Sequence, residues 1–422
     1  MKSIRIHINE LGLIRNSDLE IKPVVLFSGE SGLGKSYLAV LSHYMFVVLR
    51  NAKRLHLFFK DKGYNFYAPA DYPENKSVVL SVTREELEEW LSQDAVNYLR
   101  YMLGHDGLTA DFRITLPPDT PDVFDFVFER VSTDVAGEEK KYNRLTVWNV
   151  SYRFDTPSMD EESPYAFVFR HAMIQGLFGD FKALDKTYVL PPSRGSYMSE
   201  KVYPKTGLWE QFDISMTDLK RVQEIPDTVS TEAVQLLHEI MAGDVVESGD
   251  SYVYRTSDTE LPISAAAASV REIGPLQLMV TKRDLKTTAL LIEEPEAHLH
   301  PLKQRMMADI VCAMAKAGAY IQVTTHSDYF LRRVNDHLRL HILEARMGDE
   351  RYNAFCAENG FNPLQTLDSE LLNAYYLEMN EDGTVGVIAQ DSSRGVPFDS
   401  FKSVNGKFMS DSAVLYDMVY DV

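Results

Sequence analysis

The chain has 422 residues, with 43 Lys and Arg against 62 Asp and Glu (net charge −19), 45% apolar and 25% charged residues. That length allows two or three domain-sized units around an ample core, and the composition excludes a disordered or fibrous chain. Such acidity also argues against a stand-alone binder of duplex DNA, whose affinity comes from Lys and Arg displacing phosphate counterions; it suits solubility or docking to a basic partner.

Met1 to Ile21 reads as two strand-like stretches about Leu11-Gly12, without the long apolar run of a signal peptide. Val24 to Phe27 is a short apolar run that fits a buried strand, and it leads into Gly29-Glu30-Ser31-Gly32-Leu33-Gly34-Lys35-Ser36 and an apolar helix over Tyr37 to Leu49. Strand, glycine loop and helix in this order form the phosphate-binding P-loop context and set aside a chance match. The glycines let backbone N–H groups converge on phosphate oxygens beside a helix N-terminus. Lys35 is expected to reach the β- and γ-phosphates and Ser36 to ligate Mg²⁺. The Tyr37 to Leu49 run is too short to span a bilayer and carries Ser42 and His43, so no membrane role is expected.

Thr83 with Glu86 forms a capping box before a helix whose stripe is Leu87, Trp90, Leu91, Ala95, Tyr98, Leu99 and Met102. Core packing is the plain reading of that stripe, a partner-docking face the alternative. Strands follow over Phe112 to Leu116, Val123 to Val131 and Leu145 to Phe154. Phe124, Phe126 and Phe128 alternate as on a half-buried strand, without the interleaved Lys or Arg that base stacking would need. Glu232 to Ala242 reads as a helix with Leu236, Leu237 and Ile240 inward. No heptads persist in this interval, and prolines recur at 117, 118, 121, 157 and 164, so no long coiled coil is expected.

Ala289 to Ile292 is a second buried strand and ends in Glu293-Glu294. A carboxylate at a strand's C-terminal end can hold the metal while its neighbour deprotonates the attacking water; Glu293 is assigned to Mg²⁺ and Glu294 to the general base. Pro295-Glu296-Ala297-His298-Leu299-His300-Pro301 leads to a helix over Leu302 to Ala317, with Cys312 on its inner face, which Gly318 stops. A strand over Tyr320 to Val323 then ends in Thr324-Thr325-His326-Ser327. Parallel strands bring their C-terminal ends to one ligand crevice, so His326 should face the γ-phosphate. Cys312 and Cys356 fit no disulfide framework or metal spacing, as in a reducing cytosol.

These motifs carry a resemblance. IEEPEAHLHP followed by TTHS resembles the ABC-type P-loop ATPase heads of SMC-like proteins, DNA-repair ATPases and overcoming-lysogenization-defect nucleases. It is most similar to compact bacterial members of the AAA-15/AAA-21 kind, many from phage-defence or toxin–antitoxin systems. Residues 1–50 and 260–335 carry it strongly; Tyr188 to Arg194 resembles a strand-end segment of the group, and Gly395 to Phe401 its tail. The resemblance implies an α/β fold with a mixed central sheet flanked by helices, an antiparallel β subdomain and a helical insertion or lid. Residues 1–55 and 260–345 would form the head, 56–259 further head strands plus the insertion, and 346–422 a C-terminal α/β extension. Glu294 would be the catalytic glutamate, His326 the switch histidine, and His298 to His300 a loop touching the opposite subunit.

The family's Ser-Ser-Gly or Ser-Gly-Gly signature, which contacts a second protomer's γ-phosphate, corresponds here to Ala266-Ala267-Ala268-Ser269. The glycine is missing, leaving Ser269 and Arg271 as candidate contacts and favouring slow hydrolysis or ATP as assembly glue. After His326, residues 331–422 carry alternating strand text with a turn at Glu381-Asp382-Gly383. His341 to Ala345 only half starts a Toprim nuclease pattern, and no HNH or metal-binding His/Cys cluster follows, so no built-in nuclease is expected. The expectation is a cytoplasmic ATPase using ATP and Mg²⁺, paired as a homodimer or higher assembly through its ATP sites and acting through a separate nuclease or toxin. The alternatives are a maintenance ATPase acting directly on DNA, for which Arg332-Arg333 and Lys140-Lys141 are the conspicuous basic pairs, and a nucleotide-gated scaffold.

Overall fold

A computed structural model describes residues 1–62, 75–135, 138–154, 164–199, 205–222, 231–249, 251–396 and 399–420. In chain order the elements are β1 (Ile4–Leu11), β2 (Ile14–Ile21), β3 (Val24–Gly29), α1 (Lys35–Arg50), α2 (Ala52–Asp61), β4 (Ser77–Thr83), α3 (Arg84–Leu103), β5 (Ala110–Thr115), β6 (Val123–Val135), β7 (Glu138–Val147) and β8 (Val150–Phe154). Next come α4 (Pro164–Phe178), β9 (Lys186–Leu190), α5 (Gly195–Ser199), α6 (Gly207–Leu219), α7 (Thr231–Met241), β10 (Asp244–Ser248), β11 (Ser251–Arg255), β12 (Glu260–Pro262), α8 (Ala268–Lys282) and β13 (Thr288–Glu293). The chain continues through α9 (Pro301–Lys316), β14 (Tyr320–Thr325), α10 (Asp328–Met347), α11 (Asp349–Asn359), β15 (Leu372–Met379), β16 (Val385–Gln390) and α12 (Asp399–Tyr420).

Nine strands form one mixed sheet in the order β5-β1-β2-β16-β15-β3-β14-β13-β9. The run from β15 to β9 is parallel, whereas β5-β1-β2 pair antiparallel. Every residue of β3, β13 and β14 is buried, which explains their near-continuous apolar text: both faces of a parallel sheet are covered. Val25 and Phe27 point into one apolar core with α1, while Val24 and Leu26 point into a second core with α8, α9 and α10. β1 instead alternates buried and exposed positions, as an outer antiparallel strand does.

A separate antiparallel sheet, β4-β6-β7-β8, buries Phe124, Phe126 and Phe128 completely. Phe124 and Phe126 pack against Phe169 of α4, so the alternation is core packing. The α3 stripe from Leu87 to Met102 is likewise buried, behind the expected Thr83–Glu86 capping box. Leu236, Leu237 and Ile240 of α7 and Cys312 of α9 are also inward.

Two expectations change. Leu145 to Phe154 is not one strand: the chain turns at Trp148-Asn149, with Trp148 at φ 53°, and β7 pairs antiparallel with β8. The alternating strand text expected over 331–422 holds only for β15 and β16: α10 and α11 fill the chain to Asn359, and α12 takes up 399–420. Leu331, Val334 and Leu338 recur along α10 at helical spacing and share one core, so His341 to Ala345 is helix rather than the start of a nuclease strand. The turn at 381–383 joins β15 to β16 as expected. Pro397 and Phe398 of the family-like tail lie outside the described residues, as does Pro157.

Candidate active site

The P-loop leaves the C-terminal end of β3 and opens α1. Gly29, Gly32 and Gly34 have φ of 132°, 82° and 95°, values that side-chain-bearing residues rarely adopt. A Cβ on Gly29 would also lie 2.4 Å from the Leu377 carbonyl of β15. Lys35 Nζ donates to the carbonyls of Gly29 (3.0 Å) and Glu30 (2.6 Å). Burial lowers the lysine's pKa to about 8, against the opposing pull of Glu294, Glu296 and Glu293.

Glu293 and Glu294 stand where the strand pattern puts them, at the end of β13. Ser36 Oγ donates to Glu293 Oε2 at 3.0 Å, joining residues 257 positions apart. Burial pushes Glu293 up to about 7, although the Ser36 bond favours its ionised form. Its other oxygen, Oε1, is buried with no hydrogen-bond partner among the described residues. An oriented carboxylate oxygen left unsatisfied beside a serine hydroxyl is a donor set suited to a hard divalent cation, so these residues fit Mg²⁺.

Glu294 faces a different setting. Its backbone is held at φ 46°, a strained conformation of the kind concentrated at functional sites, while its N–H donates to the Thr324 carbonyl at 3.1 Å. His326 Nε2 lies 3.4 Å from Glu294 Oε1. The histidine's hydrogen bond keeps the Glu294 carboxyl below its ordinary pKa. The two adjacent carboxyl groups are thus driven apart: burial favours the neutral form of Glu293, and the His326 contact favours the ionised form of Glu294.

Glu296 was not assigned a role from sequence, although it sits inside the quoted motif. It is buried, its pKa is raised by that burial, and Oε1 accepts from Thr325 Oγ1 (2.6 Å) and His326 N (2.7 Å), fixing the end of β14. Arg194 was missed as well. It is wholly buried; its Nη1 donates to the carbonyls of Glu293 (2.9 Å) and Pro191 (3.1 Å), and its Nε to that of Glu272 (3.0 Å). Glu272 of α8 in turn accepts from the backbone N–H groups of Arg194 and Gly195. Arg194 therefore ties α8 to the end of the carboxylate strand.

A cavity of about 500 Å³ brings together residues 31–36, Glu294, Thr324 and His326, and the β1–β2 turn at Leu13-Ile14 closes one side. Leu13 is 53% exposed at this turn, a contribution no motif announced. Ser269 and Arg271 do not line this cavity. Both lie in the first turns of α8, whose cap Ala267 makes no side-chain hydrogen bond, and Arg271 Nη1 donates to Ser199 Oγ at 3.1 Å. The loop after Glu294 brings His298 to φ 61° and exposes it, and His300 caps α9.

Residues 197–331 match the family model of an AAA ATPase domain. The match covers α8, Glu293, Glu294 and His326, while the P-loop lies N-terminal to it. The mixed nine-stranded sheet flanked by helices is the α/β architecture expected from the motifs. Among solved structures the chain is similar to an SMC head bound to the C-winged helix domain of ScpA (11% identity, 93% of this chain and 98% of that one, TM-score 0.40). It is also similar to the SMC head domain from Thermotoga maritima (10%, 93% and 100%, TM-score 0.35). A third is an SMC head with an extended coiled coil bound to the C-terminal domain of ScpA derived from Pyrococcus furiosus (9%, 97% and 99%, TM-score 0.38). No curated protein matches the sequence. Among the described residues, no helix is long and apolar enough to cross a membrane.

Proposed function

We propose that this protein binds ATP with Mg²⁺ and hydrolyses it with Glu294 as general base, two heads closing over two nucleotides, and that the cycle regulates a separate effector. The observation that carries the reading is the Ser36–Glu293 hydrogen bond beside the Glu294–His326 pair. Ser36 and Glu293 would hold the cation, which when bound neutralises phosphate charge. Lys35 would exchange its two loop carbonyls for phosphate oxygens, and the loop N–H groups would share that charge. Glu294 would take a proton from water, while His326 orients that carboxylate and reports on the γ-phosphate.

Ser269, Arg271 and the His298–His300 loop lie outside the chain's own cavity, which suits contacts made to a second copy's nucleotide. In this reading residues 1–55 and 260–345 are the head, 56–259 include a helical lid, and 346–422 extend the head. An effector of nuclease or toxin type, in cytoplasmic anti-phage defence, follows from the sequence resemblance. A direct DNA role is disfavoured because Arg332 and Arg333 pair with Asp328 (2.8 Å) and Asp309 (2.6 Å); the Lys140 side chain lies outside the described residues. The slow, scaffold-like alternative rests on the glycine-free signature at α8.

Glu294→Gln tests the core of this reading. Turnover should fall about 10²- to 10⁴-fold, the usual worth of a general base, while ATP binding persists and an ATP-stabilised dimer accumulates. Equal turnover in wild type and variant removes Glu294 as base. A salt-independent failure to bind duplex DNA separates effector regulation from direct DNA action.

A further inference from the structure

Helix α12 is anomalous among the described elements. Its residues 406–420 are all exposed, yet they include Phe408 (69% exposed), Met409, Val414, Leu415, Tyr416, Met418, Val419 and Tyr420. On a helical projection Leu415, Phe408, Val419, Ser412, Tyr416, Met409, Tyr420 and Ala413 share an arc of roughly 160°, far wider than scattered surface apolars produce. Lys407, Asp411 and Asp417 fall outside that arc. A solvent-facing apolar stripe of this size marks an interface.

The order of residues points to the occupant. Ser412 is the small residue at the middle of the face, and the sequence about it is self-complementary: Phe408 and Tyr416 stand four residues to either side, Met409 and Leu415 three. In an antiparallel pair with its two-fold axis at Ser412, Phe408 meets the second copy's tyrosine at position 416, and Met409 its leucine at 415. That is the reciprocal pairing an isologous contact requires. The axis position is small enough for close approach, apolar side chains meet to either side of it, and no charged residue lies in the seam. Area supports it too. Six large side chains at roughly 100–150 Å² each, at or below the usual burial of an aromatic, remove ~1,200–1,800 Å² over two copies, within the range of stable specific interfaces of about 1,200–2,000 Å². We infer that α12 pairs antiparallel with α12 of a second copy of this chain, forming a dimer contact that needs no nucleotide.

Sedimentation velocity of the full chain without nucleotide tests this. The mass should rise from 48.0 kDa to twice that value with concentration, and Phe408→Asp/Leu415→Asp should hold the monomer mass while its thermal melt and ATP binding match wild type. A wild type that stays monomeric, or a variant that still dimerises, overturns the inference. Orientation is read by thiol cross-linking, since native Cys312 and Cys356 are buried. Ser412→Cys alone should form a disulfide dimer, and a mixture of Phe408→Cys and Tyr416→Cys should cross-link where neither does by itself. Phe408→Cys cross-linking with itself would mean parallel pairing and would overturn the arrangement. The ATP-sandwich reading fails separately, through Glu294→Gln with ATP added, so the two results remain distinguishable.

Discussion

Replacing Arg194 by methionine removes the cation that binds α8 to the end of β13. The guanidinium is fully buried, lies 3.7 Å from Glu272 Oε1, and donates to three carbonyls. At an effective dielectric of 20 the charge pair is worth roughly 4–5 kcal/mol before desolvation is counted. Burial costs both ions part of that gain, and it already lowers the arginine's pKa. Glu272 would keep two backbone donors, from Arg194 and Gly195, so its charge is not wholly abandoned. Breaking one side of a buried pair costs about 3–5 kcal/mol; because of those donors, Arg194→Met should fall at the lower end, ~3 kcal/mol. Glu272→Gln keeps the shape and an acceptor but removes the charge. A urea-unfolding double-mutant cycle should return a coupling of about 1–3 kcal/mol, the double variant being less destabilised than the sum. A coupling below ~0.5 kcal/mol, the scatter of independent sites, would refute the reasoning, because the two residues would then act separately.

His337 has Asp309 Oδ1 at 2.8 Å from Nε2 and the Gln365 carbonyl at 2.7 Å from Nδ1, so two acceptors hold a doubly protonated ring. Burial opposes that charge, but Cys312 and Asp309 outweigh it and raise the pKa to about 10 from 6.5. A folded-state value above the unfolded one gives stability that is complete below about pH 6.5 and lost as pH rises through 10; thermal melts of His337→Gln should lack that alkaline decline. Gly29→Ala should abolish ATP binding and lower the melting temperature, since its Cβ would meet Leu377 O at 2.4 Å; a variant with unchanged nucleotide titration contradicts the packing. Glu296→Ala leaves Thr325 Oγ1 and His326 N without their acceptor and should cost about 1–3 kcal/mol, with turnover reduced more than ATP affinity.

The sites with local signatures were legible. Gly29 to Ser36 needs only a strand before it and a helix after it, and Glu293-Glu294 and His326 terminate apolar runs that register side by side in a parallel sheet. Arg194 was not legible as a positioning residue, because the partners that give it that role, Glu272 and the Glu293 carbonyl, lie 78 and 99 positions away. The β1–β2 turn reaches the P-loop cavity through tertiary packing alone. The strand expectation after residue 331 fails for another reason: α10 mixes Leu and Val with Arg and His, so short apolar patches mask its helical period. The break at Trp148-Asn149 carries no glycine or proline, so the turn was silent in the sequence.

The placement of β15 sets a condition on synthesis. The P-loop strand β3 has two sheet neighbours, β14 and β15, and both are translated more than 290 residues after it. A nascent chain emerging from the ribosome therefore holds its glycine loop without a flanking partner until residues 320–325 of β14 have been made. Chains released before that point would lack both strands that flank the glycine loop, so such fragments should emerge inert rather than half-active.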